Sequence, residues 1–144
     1  MAMGTDNSFW CPTRYAAAGF SNSTKTAVWL YNFGHTASFD PWTANEKVCN
    51  GHCCRGEELA FLFHNAPLAG YNYTEAEEKL NQQMMTYWTN FAHYGDPNGA
   101  SGSLDWPQYT SYTKSVLHFL TTNNKVEDYQ SDYCNFWDKV GQEC

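Results

Sequence analysis

The run Cys49-Asn-Gly-His-Cys-Cys-Arg-Gly-Glu-Glu gathers three thiols, an imidazole, a guanidinium and two carboxylates within ten residues. Three kinds of chemistry use such a set: a metal knot, a disulfide loop, or a catalytic site in which the histidine moves protons. Zinc asks for four ligands in tetrahedral array, usually as two pairs well separated in sequence. Here Cys49, His52, Cys53 and Cys54 crowd into six residues, and no second C-x-x-C pair stands elsewhere to complete the set. Adjacent Cys53 and Cys54 also send their side chains in different directions, so they chelate one ion poorly. The residues therefore predict no metal and no cofactor, and a local disulfide from Cys49 to Cys54 is the better use of the run. The other histidines have plainer readings. His35 follows an apolar segment and reads as a hydrogen-bonded structural residue, and His64, His93 and His118 lie beside apolar runs as packing or surface residues.

Few elements are available to position this run, but they are well marked. Cys11 to Ala18 opens a short helix, with Pro12 near its first turn and alanines supplying propensity. Ala27 to Phe33 is apolar almost throughout and predicts a buried strand. Thr74 and Glu77 form a capping box, and Leu80, Met84, Trp88 and Phe91 follow at helical spacing until Gly95-Asp96-Pro97 ends the helix. That seam reads as core packing. Asn98 to Ser103 is a small-residue loop, Val116 to Leu120 a second short strand, and Asp132 to Val140 a final helix. Two strands separated by long helical and loop segments cannot close a sheet, which predicts further sequence in the same domain to pair their edges.

Composition narrows the partners and the compartment. The 144-residue chain is the size of one domain, and its formal charge of −7 disfavours nucleic acid and anionic membrane surfaces. No apolar run approaches the roughly 20 residues needed to cross a bilayer. Six cysteines, at positions 11, 49, 53, 54, 134 and 144, accompany two N-x-S/T sequons at Asn22 and Asn72. Together they point to the secretory lumen or the exterior, with both asparagines as glycosylation candidates. The first residues, MAMGTDNSFW, carry neither a basic start nor an apolar signal segment. Secretory features without a leader predict that the chain is a piece of something longer.

Six segments in collinear order carry a resemblance over almost the whole chain. They are Asp6 to Arg14 (DNSFWCPTR), Trp29 to His35 (WLYNFGH), Gly56 to Phe63 (GEELAFLF), Tyr87 to Asn98 (YWTNFAHYGDPN), Trp106 to Tyr109 (WPQY) and Cys134 to Trp137 (CNFW). In this the sequence is similar to the C-terminal part of type-B carboxylesterases and cholinesterases, with YWTNFAHYGDPN highly specific by itself. The resemblance implies an α/β fold: residues 1–144 would be the C-terminal portion of an α/β-hydrolase domain, helices packed on a few strands of a sheet that upstream sequence completes. It also implies a triad in the order Ser, acid, His, with the serine on a G-x-S-x-G elbow. No G-x-S-x-G occurs here, so only the histidine is expected in this region.

In the family that histidine directly precedes a glycine, in a pattern similar to C-x-G-x-x-C-H-G-x-E-L. This sequence reads Cys49-Asn-Gly-His-Cys-Cys-Arg-Gly-Glu-Glu-Leu, which puts Arg55 at the matching position. The histidine of such a triad must take a proton from serine near neutral pH and give it to the leaving group. A guanidinium holds its proton throughout that range. His52 is the alternative base, but a register that put it in place would break the match at Gly56, Glu58 and Leu59, and a triad tolerates only about half an ångström of displacement. The expectation is therefore a segment that is inactive alone, a pseudoenzyme or a binding and structural piece. The alternative is the C-terminal part of an active carboxylic-ester hydrolase whose serine and acid lie upstream.

The resemblance also implies a disulfide between Cys11 and Cys134, a loop long enough to remove about 4 to 5 kcal/mol of chain entropy. Cys53 and Cys144 are left free, paired together or intermolecular. In the cholinesterases the terminal helix packs against its copy in a second subunit, and Phe136, Trp137 and Val140 could supply that apolar face here. A short helix gains little from propensity and needs such packing or the Cys134 staple to persist. A symmetric dimer predicts a two-fold mass in sedimentation, lockable through Cys144 under oxidising conditions. A concentration-independent monomer in both reducing and oxidising buffer, unchanged by Trp137→Ala, rules it out.

Overall fold

The computed structural model describes residues 2–23, 26–40, 49, 51–100, 105–122 and 124–141. Along the chain these form α1 (Ala2–Thr5), a π-helical turn (Asp6–Trp10), α2 (Cys11–Ser23), β1 (Leu30–Phe33), α3 (Glu58–Leu62), a 3₁₀ turn (Ala66–Ala69), α4 (Glu75–Tyr94), β2 (Ser115–Phe119), β3 (Asn124–Glu127) and α5 (Ser131–Gly141). The strands make one sheet in the order β1-β2-β3. The Gly34 N–H, just past the end of β1, donates to the Phe119 carbonyl at the end of β2, so these two strands run the same way. β3 returns beside β2 after a connection too short for anything but a hairpin, and the Asp128 N–H closes it on the Lys114 carbonyl at 3.2 Å.

Helix α2 is longer than its sequence signals suggest. It starts at Cys11 with Pro12 in its first turn, as expected, but a π turn runs straight into it: the Cys11 N–H bonds back to the Asp6 carbonyl and the Thr13 hydroxyl to the Phe9 carbonyl. Strand β1 is shorter than the apolar run from Ala27. The Val28 carbonyl accepts from the Tyr109 N–H at 2.7 Å and so leaves the ladder to Leu30 and beyond. β3 (Asn-Lys-Val-Glu) carries almost no apolar signal, and only its backbone pairing makes it a strand.

The residues divide into two compact units. One comprises residues 1–31, 107–117 and 125–144. Ala17, Leu30, Tyr109 and Val116 form its core, with Trp10, Ala18, Val28 and Tyr129 packed against them. Cys11 of α2 and Cys134 of α5 are joined, with Cα atoms 5.2 Å apart and 123 residues between them in sequence. Beside that cross-link Arg14 pairs with Asp138 at 2.8 Å, and the Trp10 indole meets the Tyr129 ring edge-on while its N–H donates to the Tyr129 carbonyl. On α5, Phe136 and Val140 are about half exposed, and Trp137 lies half-buried against Phe136.

The other unit comprises residues 32–106 and 118–124, and α4 is its spine. The Thr74 hydroxyl accepts from the Glu77 N–H while the Glu77 carboxylate accepts from the Thr74 N–H, and Gly95 ends the helix at φ 70°. The buried face is Glu77, Leu80, Asn81, Met84 and Tyr87, with Trp88 half-buried. Phe91 lies on that face by angle but is 51 % exposed, since the last turn runs past the cluster of Tyr87, Trp88, Trp106 and Phe119. Tyr87 fills the place in the core that the sequence pattern gave to Phe91. A second aromatic cluster surrounds Phe61, which is fully buried among Phe33, His35, Phe39 and Tyr73.

Asp96 to Asn98 show why that part of the motif is so restricted. After the left-handed Gly95, Asp96 accepts from the Asn98 N–H, and the Asn98 amide clamps Trp106 at both backbone groups, at 2.7 and 2.9 Å. The loop expected over Asn98 to Ser103 is thus anchored at its start, and residues 101–104 lie outside the described set.

Glu77 does more than cap. Its fully buried carboxylate accepts from His35 Nε2–H (3.0 Å), the Ser38 N–H and hydroxyl (2.7 and 2.6 Å), and the Thr74 N–H and hydroxyl (2.8 Å each). Burial by itself would raise its pKa, but the bonds from Ser38, His35 and Thr74 outweigh it and pull the group down to about 2. A depressed carboxylate contributes stability above its unfolded pKa and loses it as pH falls through the folded value. Glu77→Gln should therefore cost roughly 3 kcal/mol at pH 7. The gap between wild type and variant should close between about pH 4.5 and pH 2 in urea unfolding, and a gap constant over that range would remove the carboxylate from this role.

Candidate functional site

The cysteine-rich run folds into consecutive tight turns. The His52 N–H donates to the Cys49 carbonyl at 3.0 Å, the Glu57 N–H to Cys54 at 3.2 Å and the Leu59 N–H to Gly56 at 3.2 Å, which delivers the chain into α3. Two of these turns need left-handed backbone, and glycine stands at both places, Gly51 at φ 74° and Gly56 at φ 93°. Cys49 and Cys54 are joined with Cα atoms 5.6 Å apart. The Glu58 carboxylate accepts from the Gly56 N–H at 2.9 Å and fixes the turn from the helix side. Arg55 stands exposed between Cys54 and Gly56.

His52 is exposed on the rim of a cavity of about 180 Å³ whose lining includes Ser38, Asp40, Cys49 and Glu57. A serine, a histidine and a carboxylate on one cavity invite comparison with nucleophilic catalysis, which needs the hydroxyl bonded to the base. The Ser38 hydroxyl instead gives its proton to Glu77 at 2.6 Å. Among the described residues no hydrogen bond joins the His52 ring to a hydroxyl. The same residues hold no cluster of three or more metal-ligating side chains. Cys53 turns its thiol to the Phe33 carbonyl at 3.4 Å. Burial, reinforced by the negative charges of Glu57 and Glu58, pushes that thiol up to about 12.

The remaining sequence candidates are dispersed. Asn72 is exposed ahead of α4, and Thr74 of its sequon is the cap of that helix. Asn22 is exposed near the end of α2, where its side-chain carbonyl accepts from the Ser111 hydroxyl at 2.9 Å. Cys144 lies outside the described residues. His35 is tied to Glu77, and His64 bonds to Glu78 and stacks on Tyr73. His118 lies against the backbone at Gly34, where a Cβ would come within 2.0 Å of its Nε2, and burial lowers its pKa. Sequence reasoning found the helix cap in Glu77 and a hydrogen-bonded role for His35, but not that His35 and Ser38 both meet Glu77. The one signal was the acidic residue three positions after Thr74.

A sequence model of the Carboxylesterase family matches residues 1–137. The chain belongs to the carboxylesterase family. It is 35 % identical over 129 residues to an acetylcholinesterase of Electrophorus electricus, covering 85 % of this chain and 20 % of that protein. It is 34 % identical over 135 residues to a cholinesterase of Mus musculus, covering 92 % and 21 %. To a medium-chain fatty acyl-CoA hydrolase precursor of Anas platyrhynchos it is 37 % identical over 110 residues, covering 76 % and 19 %. The chain thus spans about a fifth of the length of these curated relatives. Among solved structures, a thermophilic PNB esterase superposes with a TM-score of 0.76 at 23 % identity, over 94 % of this chain and 26 % of that one. The fold is the α/β-hydrolase fold in part, the sheet and helices of its carboxylesterase form.

Cysteine chemistry at this site has a direct check. Non-reducing peptide mapping of protein from a secretory host, quenched in acid, should recover Cys11 joined to Cys134 and Cys49 joined to Cys54. Stoichiometric zinc with the thiols reduced would refute that framework.

Proposed function

We propose that this chain is the C-terminal portion of a carboxylesterase-like domain that does not hydrolyse esters by itself, a pseudoenzyme segment with a binding or structural role. The observation that carries the reading is Arg55, at the position where the family resemblance calls for the histidine base, exposed on a turn fixed by Gly56 and Glu58. A guanidinium there adds a permanent cation and accepts no proton. His52 and Ser38 supply no substitute, since the Ser38 hydroxyl is committed to Glu77.

Its first partner is the rest of the same hydrolase domain, in keeping with the fifth of the relatives' length that this chain spans. The two joined cysteine pairs support an oxidising, secretory setting, in which Asn22 and Asn72 would carry glycans. The half-exposed Phe136 and Val140 on α5 support a helix-to-helix homodimer. A second reading, favoured by relatives named as cholinesterases and a hydrolase, makes the chain part of an active esterase whose serine and acid lie on the preceding segment.

The chain should release p-nitrophenol from p-nitrophenyl acetate no faster than its heat-denatured control. Saturable turnover that disappears in His52→Ala would overturn the proposal and return His52 to the base position.

A further inference from the structure

The smaller unit holds a polar cavity of about 270 Å³, walled by Arg14 and Tyr15 of α2, Tyr109 and Ser111 ahead of β2, and Asn135 and Asp138 of α5. A sequon stands directly beside it. Asn22, of Asn-Ser-Thr, lies on the α2 face that carries Arg14 and Ala18, two turns and one turn further along the helix. Its side-chain carbonyl accepts from the Ser111 hydroxyl at 2.9 Å, and Ser111 is a wall of the cavity. We propose that this cavity seats the first sugar of a glycan carried on Asn22, an N-acetylglucosamine, which then ties α2 to the segment before β2 and to α5. This rests on the reading above that puts a glycan on Asn22.

The covalent geometry of the linkage sets the direction. Glycosylation joins the sugar to Nδ2 and leaves the side-chain carbonyl as an acceptor, so the bond to Ser111 can persist. The product is a secondary amide, planar and trans like a peptide bond, which places the sugar on the same side of the C–N bond as the carbonyl oxygen. That oxygen is turned to Ser111. The ring is therefore led toward the Ser111 wall instead of straight out to solvent.

The walls suit a neutral sugar, whose hydroxyls both donate and accept around apolar C–H faces. Arg14 has more N–H donors than its bonds to Asp138 and Ser131 take up, and the Asn135 amide both donates and accepts, as the acetamido group does. Tyr15, 74 % exposed, offers a ring face to the sugar's C–H groups. The cavity does not call for an anion. Arg14 is paired with Asp138 at 2.8 Å, and Lys114, also on its lining, is paired with Asp128 at 2.9 Å. Its volume falls just below that of drug-sized sites, which matches a single ring.

The test uses protein from a secretory host that makes high-mannose glycans, with Asn72 as the control inside the same molecule. Glycopeptide mapping reads occupancy. A bare Asn22 overturns the proposal together with the reading that this sequon is used. After endoglycosidase H has trimmed each glycan to one N-acetylglucosamine, nuclear Overhauser contacts are expected from the acetamido methyl at Asn22 to the ring protons of Tyr109 and Tyr15. On untrimmed, folded protein, Asn135→Ala and Tyr15→Ala should each speed release of the Asn22 glycan by peptide N-glycosidase severalfold and leave release at Asn72 unchanged. Circular dichroism like that of wild type certifies the fold, and the exposed Tyr15 keeps the test open should Asn135→Ala weaken α5. An occupied Asn22 whose sugar contacts neither ring, or whose release neither substitution moves, overturns the seat and leaves glycosylation itself standing.

Discussion

A carboxylate with five donors and no exposure organises the larger unit of this chain. Glu77 stands at the first turn of α4, where its charge favours the helix N-terminus, and it reaches the segment after β1 through His35 and Ser38. A buried charge left unpaired costs several kcal/mol, so Glu77 can be where it is only if every donor arrives. The aromatic packing about Phe61 depends on the same alignment, because His35 both donates to Glu77 and lies edge-on to the Phe61 ring. Moving the segment after β1 by one residue would strand the carboxylate and open the aromatic cluster together.

Much of this was legible in the sequence where the code is local. The capping box and the glycine stop of α4 are short-range chemistry, and both ends stand where Thr74 and Gly95 put them. The α5 helix and the β2 strand were visible in the same way. What escaped depends on partners far along the chain. The hairpin strand Asn124–Glu127 is defined by the backbone of β2 and not by its own side chains. The π turn ahead of α2 carried no signal of its own in the sequence. Tyr87 takes the inner position because Trp106 and Phe119 are there to receive it, a fact that helical spacing alone does not contain.

The candidate site was legible as composition and less so as geometry. The sequence pattern set Arg55 where the resemblance expects the histidine, and it read the cysteines as a disulfide framework. It did not show that Ser38 and His52 line one cavity, nor that Glu77 takes the Ser38 proton. Chemical resemblance to a catalytic set is therefore weaker evidence than the direction of one hydrogen bond. A hydroxyl that donates to a permanent buried carboxylate is a structural group, whatever stands across the cavity from it.

The two glutamates after Gly56 divide tasks that sequence makes look alike. Glu58 fixes the turn through the Gly56 N–H, whereas Glu57 is almost fully buried and lines the cavity that His52 borders. Burial first, and then the charges of both glutamates, raise the pKa of the Cys53 thiol. A base in position 55 would have stood among these same charges, and two carboxylates beside an imidazole favour its charged form. Arginine carries that charge without condition.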